Sequence, residues 1–418
     1  MSWHGKILRV NLTIGSCESE DLNMKWAEEY LGQRGLATKY LMEEMDPSAD
    51  ALGPENKLII ATGPLTGTNA STGGRWSAVT KGALTGAIAC SNSGGQFGGE
   101  LKMAGWDFII LEGQAKNPVY LHIENEKAAL LDASHLWGRS VWEIEPEIKN
   151  THGDPLMRVA SIGQAGENMV RYACIVNDLH RAAGRSGVGA VMGSKRLKAI
   201  AVRGTKGVNV SDHAKFLAAV KDTNQTLAEN EGRMGLTRFG TIPMMDVTGS
   251  FGALPTRNNR DVQFEGHEKI NANAMQSPNE RGHTNFITNG ACFGCTIGCG
   301  RICHIDPEHF SVKDRPEYQH ASGGLEYETA YALGAAVGVD DIDAATFAGF
   351  MCNEYGMDPI SLGGTIAAAM ELYDLGIITS KETGGIDLAF GNAAALCEIS
   401  ELAGKGEGFG ADIGLGSK

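Results

Sequence analysis

Four cysteines stand close together at Cys292, Cys295, Cys299 and Cys303, in the run Ala291-Cys-Phe-Gly-Cys-Thr-Ile-Gly-Cys-Gly-Arg-Ile-Cys303. Thiolates spaced in this way on one loop can wrap a soft metal centre. The interleaved Gly294, Gly298 and Gly300 allow the tight, positive-φ turns that wrapping requires. Iron–sulfur ligation is the first reading. Structural zinc is the alternative, since four cysteines suit Zn²⁺ as well, although zinc usually takes two short-spaced pairs from separate knuckles. Buried, unligated thiols are the third reading.

Other residues with chemical potential lie on glycine loops and at helix starts. Glycines gather at Gly94-Gly95 and Gly98-Gly99, and again between 184 and 193, where backbone can approach a ligand or another chain. The run 183–195 fails as a P-loop because Ser194 separates Gly193 from Lys195. It fails as a nucleophile elbow because Val188 stands where glycine is needed. No Gly-x-Gly-x-x-Gly opens a Rossmann unit. What remains is a loop with Arg181, Arg185, Lys195 and Arg196 around it, able to hold an anion through amide N–H groups and charge, or else a solvated basic turn. Glu326 and Glu328 flank Tyr327 at the start of an apolar helical pattern, where a carboxylate interacts with the helix dipole. Asp358 precedes Pro359 and can cap the next helix. The eleven histidines form no metal set: His122 falls in a strand, and His304 and His320 receive no role.

The elements that must position these groups change character along the chain. The first part reads as strands: 7–13 alternates, 58–62 and 108–112 are short apolar runs, and 119–131 reads as a hairpin turning at Asn125. One helix is expected over 26–45 and another over 141–149. After the strand 199–203 the texture becomes helical, with a capped helix from His213 to Asn230 and further helical spacing at 325–337, 342–355, 360–375 and 389–402. A polar, weakly patterned stretch covers 230–289. No internal repeat is visible. The expected division is a β-rich domain over 1–208 and a helical domain over 209–418 that carries the cysteine loop.

With 418 residues the chain is long enough for two or three cores. Its net charge of −14, without a basic stripe, excludes nucleic acid as a natural partner. Nine cysteines, an odd number and scattered outside the loop at Cys17, Cys90, Cys174, Cys352 and Cys397, are not a disulfide framework and indicate a reducing cytoplasm. No apolar run reaches membrane-spanning length, and the N-terminus shows no signal segment.

Taken in order, several segments resemble the aldehyde:ferredoxin oxidoreductase family, the tungsten or molybdenum bis-pyranopterin enzymes. They are Gly5-Lys-Ile-Leu-Arg-Val-Asn-Leu-Thr13, Tyr30-Leu-Gly-Gln-Arg-Gly-Leu-Ala37, Ala61-Thr-Gly-Pro-Leu-Thr-Gly-Thr68, Gly73-Gly-Arg75 and Ser91-Asn-Ser-Gly-Gly-Gln-Phe-Gly-Gly99. The run 177–195, the cysteine loop, Glu326-Tyr-Glu-Thr329 and Asn353-Glu-Tyr-Gly-Met-Asp358 complete the series.

The resemblance implies an α+β fold: a double β-sheet domain cradling the pterins, then mainly helical domains. It implies oxidation of an aldehyde with water to a carboxylic acid in anaerobic metabolism, with electrons passing through a [4Fe–4S] cluster to ferredoxin or a ferredoxin-like subunit. A benzoyl-CoA-reductase-type active-site subunit is the rival within the family. A non-catalytic iron–sulfur or zinc scaffold is the rival outside it. By the same resemblance Cys292, Cys295 and Cys299 ligate the cluster, and Arg75 stands between cluster and pterin. The carbonyls of Asn92 and Ala182 hold a Mg²⁺ bridging the pterin phosphates. Gly94, Gly95, Arg181, Gly184 and Arg185 approach the cofactor, Asp358 accepts from pterin N–H groups, and Glu328 is the base beside the metal, with Glu326 as fallback. Asn353 departs from the commoner Asp of its motif. The family's third domain supplies a fourth cluster cysteine, a second pterin-holding turn and a histidine. The chain ends before it, so a fragment is expected, with Cys303 as the alternative fourth ligand. A homo- or hetero-oligomer is expected.

Overall fold

The computed structural model describes residues 2–319 and 322–417, which leaves His320 outside the described residues. The chain gathers into two units, Met1–Asn230 with Cys292–Thr296, and Glu231–Ala291 with Ile297–Lys418.

The first unit holds two six-stranded mixed sheets. One is built from β1 (Lys6–Asn11), β2 (Ser16–Asp21), β3 (Leu58–Thr62), β4 (Trp76–Lys81), β5 (Ile88–Ser93) and β6 (Phe108–Glu112), with helices α1 (Met24–Tyr30), α2 (Gln33–Glu44) and α3 (Phe97–Met103) between them. The other uses β7 (Val119–Glu124), β8 (Lys127–Asp132), β9 (Arg158–Ser161), β10 (Ile175–Asn177), β11 (Arg181–Ala183) and β12 (Leu197–Arg203), with α4 (Val141–His152), α5 (Gln164–Glu167) and α6 (Val188–Ser194). Helix α7 (His213–Glu229) follows.

The two sheets share one topology. Strand order is β2-β1-β6-β3-β4-β5 in the first and, read from its hairpin, β8-β7-β12-β9-β10-β11 in the second. In each, the first hairpin strand runs parallel to the last strand of the set, and every other pairing is antiparallel. The registers superimpose as well: Asn11 faces Glu112 as Glu124 faces Arg203, and Ile60 faces Ile109 as Ala160 faces Ile200. The unit is therefore a structural duplication, contrary to the sequence reading of no repeat. The central strands β3 and β6 are buried almost throughout, which is why they read as unbroken apolar runs. Each sheet packs one face on its own helix, with Tyr40 and Leu41 on the first core and Ile144 and Ile148 on the second.

The helix expected over 26–45 is two. Leu31 adopts φ 64, and a Cβ on Gly32 would stand 3.0 Å from Pro64 Cδ and 3.1 Å from Gly63 Cα. A continuous helix cannot pass this close to a neighbouring loop.

The second unit is mainly helical: α8 (Glu231–Phe239), α9 (Met244–Ser250), α10 (Ala272–Gln276), α11 (Tyr327–Leu333), α12 (Ile342–Tyr355), α13 (Pro359–Asp374), α14 (Ala393–Lys405) and α15 (Phe409–Ile413). A small antiparallel sheet of β13 (Phe286–Gly290), β14 (Gly300–Cys303) and β15 (Ser322–Gly323) carries the end of the cysteine loop. Asp341 caps α12 through the amides of Asp343 and Ala344, and Gly356 at φ 76 ends it. The helix expected over 325–337 breaks at Gly334, where a Cβ would lie 2.4 Å from Ala330 O. The whole is an α+β fold. Among the described residues no helix is long and apolar enough to cross a membrane.

Candidate functional site

Both repeats deliver chemistry at the same place, the turn between the fifth strand and the helix that follows. In the first repeat Asn92 lies opposite Ser77, and in the second Ala182 lies opposite Val176; the registers make these two residues equivalent. Gly94 and Gly184 follow at matching distances.

Asn92 is fixed from three sides. Its Oδ1 accepts from Arg75 Nη1 at 2.8 Å. Its Nδ2 donates to Trp76 O at 3.0 Å, to Ser77 Oγ at 3.1 Å and to Gln33 Oε1 at 3.3 Å. Gln33 Nε2 donates in turn to Arg75 O at 3.0 Å, which Thr66 Oγ1 also reaches at 2.9 Å. Arg75 is exposed, so its backbone is held while its charge stays available. A cavity of about 280 Å³ opens beside this group, lined by Leu31, Gln33, Pro64, Thr66 and Arg75 among others. Gln33 takes φ 42, uncommon for a residue with a side chain. It belongs to the cavity wall but was not among the expected site residues. Its motif was legible; its reach to Arg75 and Asn92 was not.

The first turn is tied to the second repeat. Ser93 Oγ donates to Asn177 Oδ1 at 2.8 Å, Asn177 Nδ2 to Gly94 O at 3.1 Å, and Gln96 N to Asp178 Oδ2 at 2.6 Å. Gly95, at φ 84, passes so near that a Cβ there would stand 2.2 Å from Asp178 Oδ2. Arg185 N donates to Ser91 Oγ at 3.0 Å, and the Arg185 side chain is exposed. Arg181 and Ala182 are half-buried in β11. Burial and the Arg181 charge pull the neighbouring His180 imidazole down to about 4. Arg75, Asn92, Gly94, Gly95, Arg181, Ala182, Gly184 and Arg185 thus lie in one unit, along β5, β11 and the turns after them, with Arg75 bonded to Asn92 from the start of β4.

The knuckle Cys292–Thr296 joins the same unit. Phe293 N donates to Gly95 O at 3.0 Å, Thr72 N to Gly294 O at 3.2 Å, and Cys295 N to Cys292 O at 3.1 Å. A Cβ on Gly94 would lie 2.7 Å from Cys292 Sγ, one on Gly74 2.9 Å from Phe293 Cβ, and one on Gly99 2.9 Å from Phe293 Cγ. The glycines that read as a ligand approach are, in large part, the seat of this knuckle.

Cys299 and Cys303 belong to the second unit. Cys292, Cys295 and Cys299 are half-buried, whereas Cys303 is sealed in β14 opposite Phe286 and burial pushes its thiol up to about 12. The three thiols that remain accessible are those of the expected ligand set, and their donor chemistry fits an iron–sulfur centre. Among the described residues no three His, Cys, Asp or Glu side chains are gathered around a single-ion position.

Glu328 lies exposed in the first turn of α11. Glu326, at the N-cap, is half-buried and accepts from Thr241 Oγ1 at 2.6 Å. Asp358 is buried and caps α13, accepting from Ile360 N at 3.3 Å, Ser361 N at 3.1 Å and Ser361 Oγ at 2.5 Å. These three belong to the second unit.

A duplicated pair of mixed sheets and a mainly helical unit, with the thiol loop divided between them, frame these residues. Residues 7–204 match the family described as "Aldehyde ferredoxin oxidoreductase, N-terminal domain", and residues 218–418 match "Aldehyde ferredoxin oxidoreductase, domains 2 & 3". The chain belongs to the aldehyde ferredoxin oxidoreductase family. It is 46% identical over 97% of its length to the tungsten-containing aldehyde ferredoxin oxidoreductase of Pyrococcus abyssi, covering 65% of that protein. To the Pyrococcus furiosus protein of the same description it is 44% identical over 99% of its length, covering 66%. The chain therefore spans about two thirds of the length of these relatives. Among solved structures it resembles the active site complex BamBC of benzoyl coenzyme A reductase, with a TM-score of 0.83 at 28% identity, covering all of this chain and 62% of that one.

Proposed function

We propose that this chain carries the cofactor-binding part of an enzyme that oxidises an aldehyde, with water, to a carboxylic acid in the cytoplasm. Its electrons would go to ferredoxin or a ferredoxin-like subunit. The observation that carries the reading is the 44–46% identity, over nearly the whole chain, to proteins described as tungsten-containing aldehyde ferredoxin oxidoreductases. A tungsten (or molybdenum) bis-pyranopterin, when bound, supplies a two-electron acceptor and a Lewis acid.

The chain's own residues then have defined tasks. The carbonyls of Asn92 and Ala182, equivalent by register, would be the pair to hold a Mg²⁺ that offsets the cofactor's phosphate charge. Gly94, Gly95, Gly184, Arg181 and Arg185 offer the amide and guanidinium donors that a dianionic phosphate needs. Asp358 would accept from pterin N–H groups. Cys292, Cys295 and Cys299 would hold a [4Fe–4S] cluster that carries electrons onward, and Arg75 would supply a guanidinium donor to the path from the pterin. Glu328 takes the proton from water or the hydrated aldehyde.

Anaerobically purified protein should contain tungsten or molybdenum together with iron and sulfide, and reduce a viologen dye when given an aldehyde. Iron alone would make it an electron carrier, and zinc alone a scaffold. Glu328→Gln should lower kcat by roughly 10²–10⁴ with metal retained, while Glu326→Gln stays mild; reversed severities would move the base to Glu326. The structural likeness to the BamBC complex supports a second reading, reduction of an aromatic CoA thioester. Turnover of benzoyl-CoA with no aldehyde oxidation would establish that reading instead.

A further inference from the structure

Arg301 sits in β14, two residues after Cys299, and is only 2% exposed. Every hydrogen-bond acceptor it has is neutral. Nη1 donates to Asn289 Oδ1 and, at 3.3 Å, to Arg238 O; Nη2 donates to Leu236 O at 3.0 Å and Thr237 O at 3.2 Å. Nε is buried with no partner, and no carboxylate among the described residues lies within ion-pair distance of the guanidinium. The nearest in effect, Glu326, is engaged with Thr241.

The three carbonyls are the C-terminal end of α8. Their partial negative charge offsets about half of a guanidinium, so a buried positive charge remains without a full counterpart, which ordinarily destabilises a fold. The loop is fastened at the same place. Thr237 Oγ1 donates to Ile297 O at 2.6 Å, and Asn289 Nδ2 donates to Thr237 O at 2.6 Å. A Cβ on Gly240 would be 2.6 Å from Arg301 Nε and 3.0 Å from Cys299 O, so the bare Nε and the Cys299 backbone border one glycine.

We propose that Arg301 is the fixed positive countercharge of the iron–sulfur centre, fastening the Cys299 segment to the end of α8 and raising the potential at which the centre accepts its electron. The proposal rests on the reading of Cys299 as a cluster ligand. A thiolate-ligated [4Fe–4S] centre is anionic in both states and gains one further negative charge on reduction, so a nearby fixed cation favours the reduced form. Arg301 is a positioning residue. It exchanges no proton or electron.

The test is a potentiometric titration of the cluster's electron paramagnetic resonance signal in the whole anaerobically purified protein, with iron, sulfide and thermal stability measured beside it. Arg301→Gln removes the charge and should shift the midpoint to more negative values. Arg301→Lys keeps the charge but loses the planar fork, so its midpoint should stay near that of the parent while both variants lose thermal stability. Equal midpoints in all three proteins, or equal shifts in the two variants, would reduce Arg301 to a cap for α8 and overturn the proposal. A parent protein with no iron and sulfide would overturn the cluster reading itself, and is recognised before any variant is compared. Where Arg301→Gln fails to fold, the salt dependence of the Arg301→Lys midpoint decides: a buried charge pair is little screened, so a midpoint that moves strongly with ionic strength counts against it.

Discussion

The two repeats of the first unit share a backbone frame and divide the work differently. Residues 97–113 lie over 188–204 without a gap, yet identical residues within them are few: Gly98 over Gly189, Ile109 over Ile200 and Gly113 over Gly204. At the entry to the fourth strand the first repeat has exposed Arg75 where the second has buried Cys174. At the turn after the fifth strand the first repeat has Gly95, pressed against Asp178, where the second has exposed Arg185. At the start of the last strand each buries a charge, of opposite sign. Asp107 pairs with Lys102 in the first, and Lys198 with Glu167 in the second. One half offers bare backbone on which a knuckle sits, and the other offers cations. A duplicated frame can thus specialise in its side chains and loop lengths while the pairing of its central strands is kept.

The largest expected effect tests whether the halves are equivalent in energy. Lys102→Met strands a buried Asp107, and Glu167→Gln strands a buried Lys198. Each should cost about 3–5 kcal/mol in urea denaturation, and a cost below ~1 kcal/mol in one alone would break the equivalence. Next, Gly95→Ala forces a side chain into a left-handed backbone against Asp178 and should destabilise by roughly 2–4 kcal/mol. Its counterpart Arg185→Ala should change stability by less than about 0.5 kcal/mol while lowering tungsten and phosphate content, which sharpens the contrast between a structural turn and a binding turn. A last comparison concerns Lys195, whose place in the first repeat is taken by Ala104. Its Nζ is buried against Asn56 O and Gly113 O, and burial lowers it to about 8 from 10.5. Below pH 8 the folded lysine is charged at a cost to stability. Between about pH 8 and 10.5 the unfolded chain holds a proton that the fold has released, so stability rises with pH in that window. Against Lys195→Met, the parent should gain roughly 1–3 kcal/mol across it.

Much of this arrangement was legible in the residues. Strands 58–62 and 108–112 read correctly because a strand buried on both faces must be apolar at every position. Asp358 read as a cap because Pro359 marks a first helical turn, and the structure uses it so. The duplication was hidden because it resides in strand pairing, which tolerates Phe108 over Ala199 and Asp107 over Lys198. The break at Leu31 was hidden because its cause, Pro64, is distant in sequence. The cysteine loop was plain from spacing, but nothing local showed that Gly74, Gly94 and Gly99 were small in order to admit Phe293 and Cys292.

That insertion has a consequence for the order of synthesis. The first unit is complete only when Cys292–Thr296 arrives, although the rest of it ends at Asn230. At a ribosomal rate of about 5–20 residues per second, its seat at Gly74, Gly94 and Gly99 stands open for roughly 3–12 s after the last contiguous residue is made. During that interval both sheets can pair and bury their cores, but the unit keeps a hole lined by glycine. The segment that fills it brings the first two thiols of the loop. Closing the fold and placing those thiols are therefore a single event in the nascent chain.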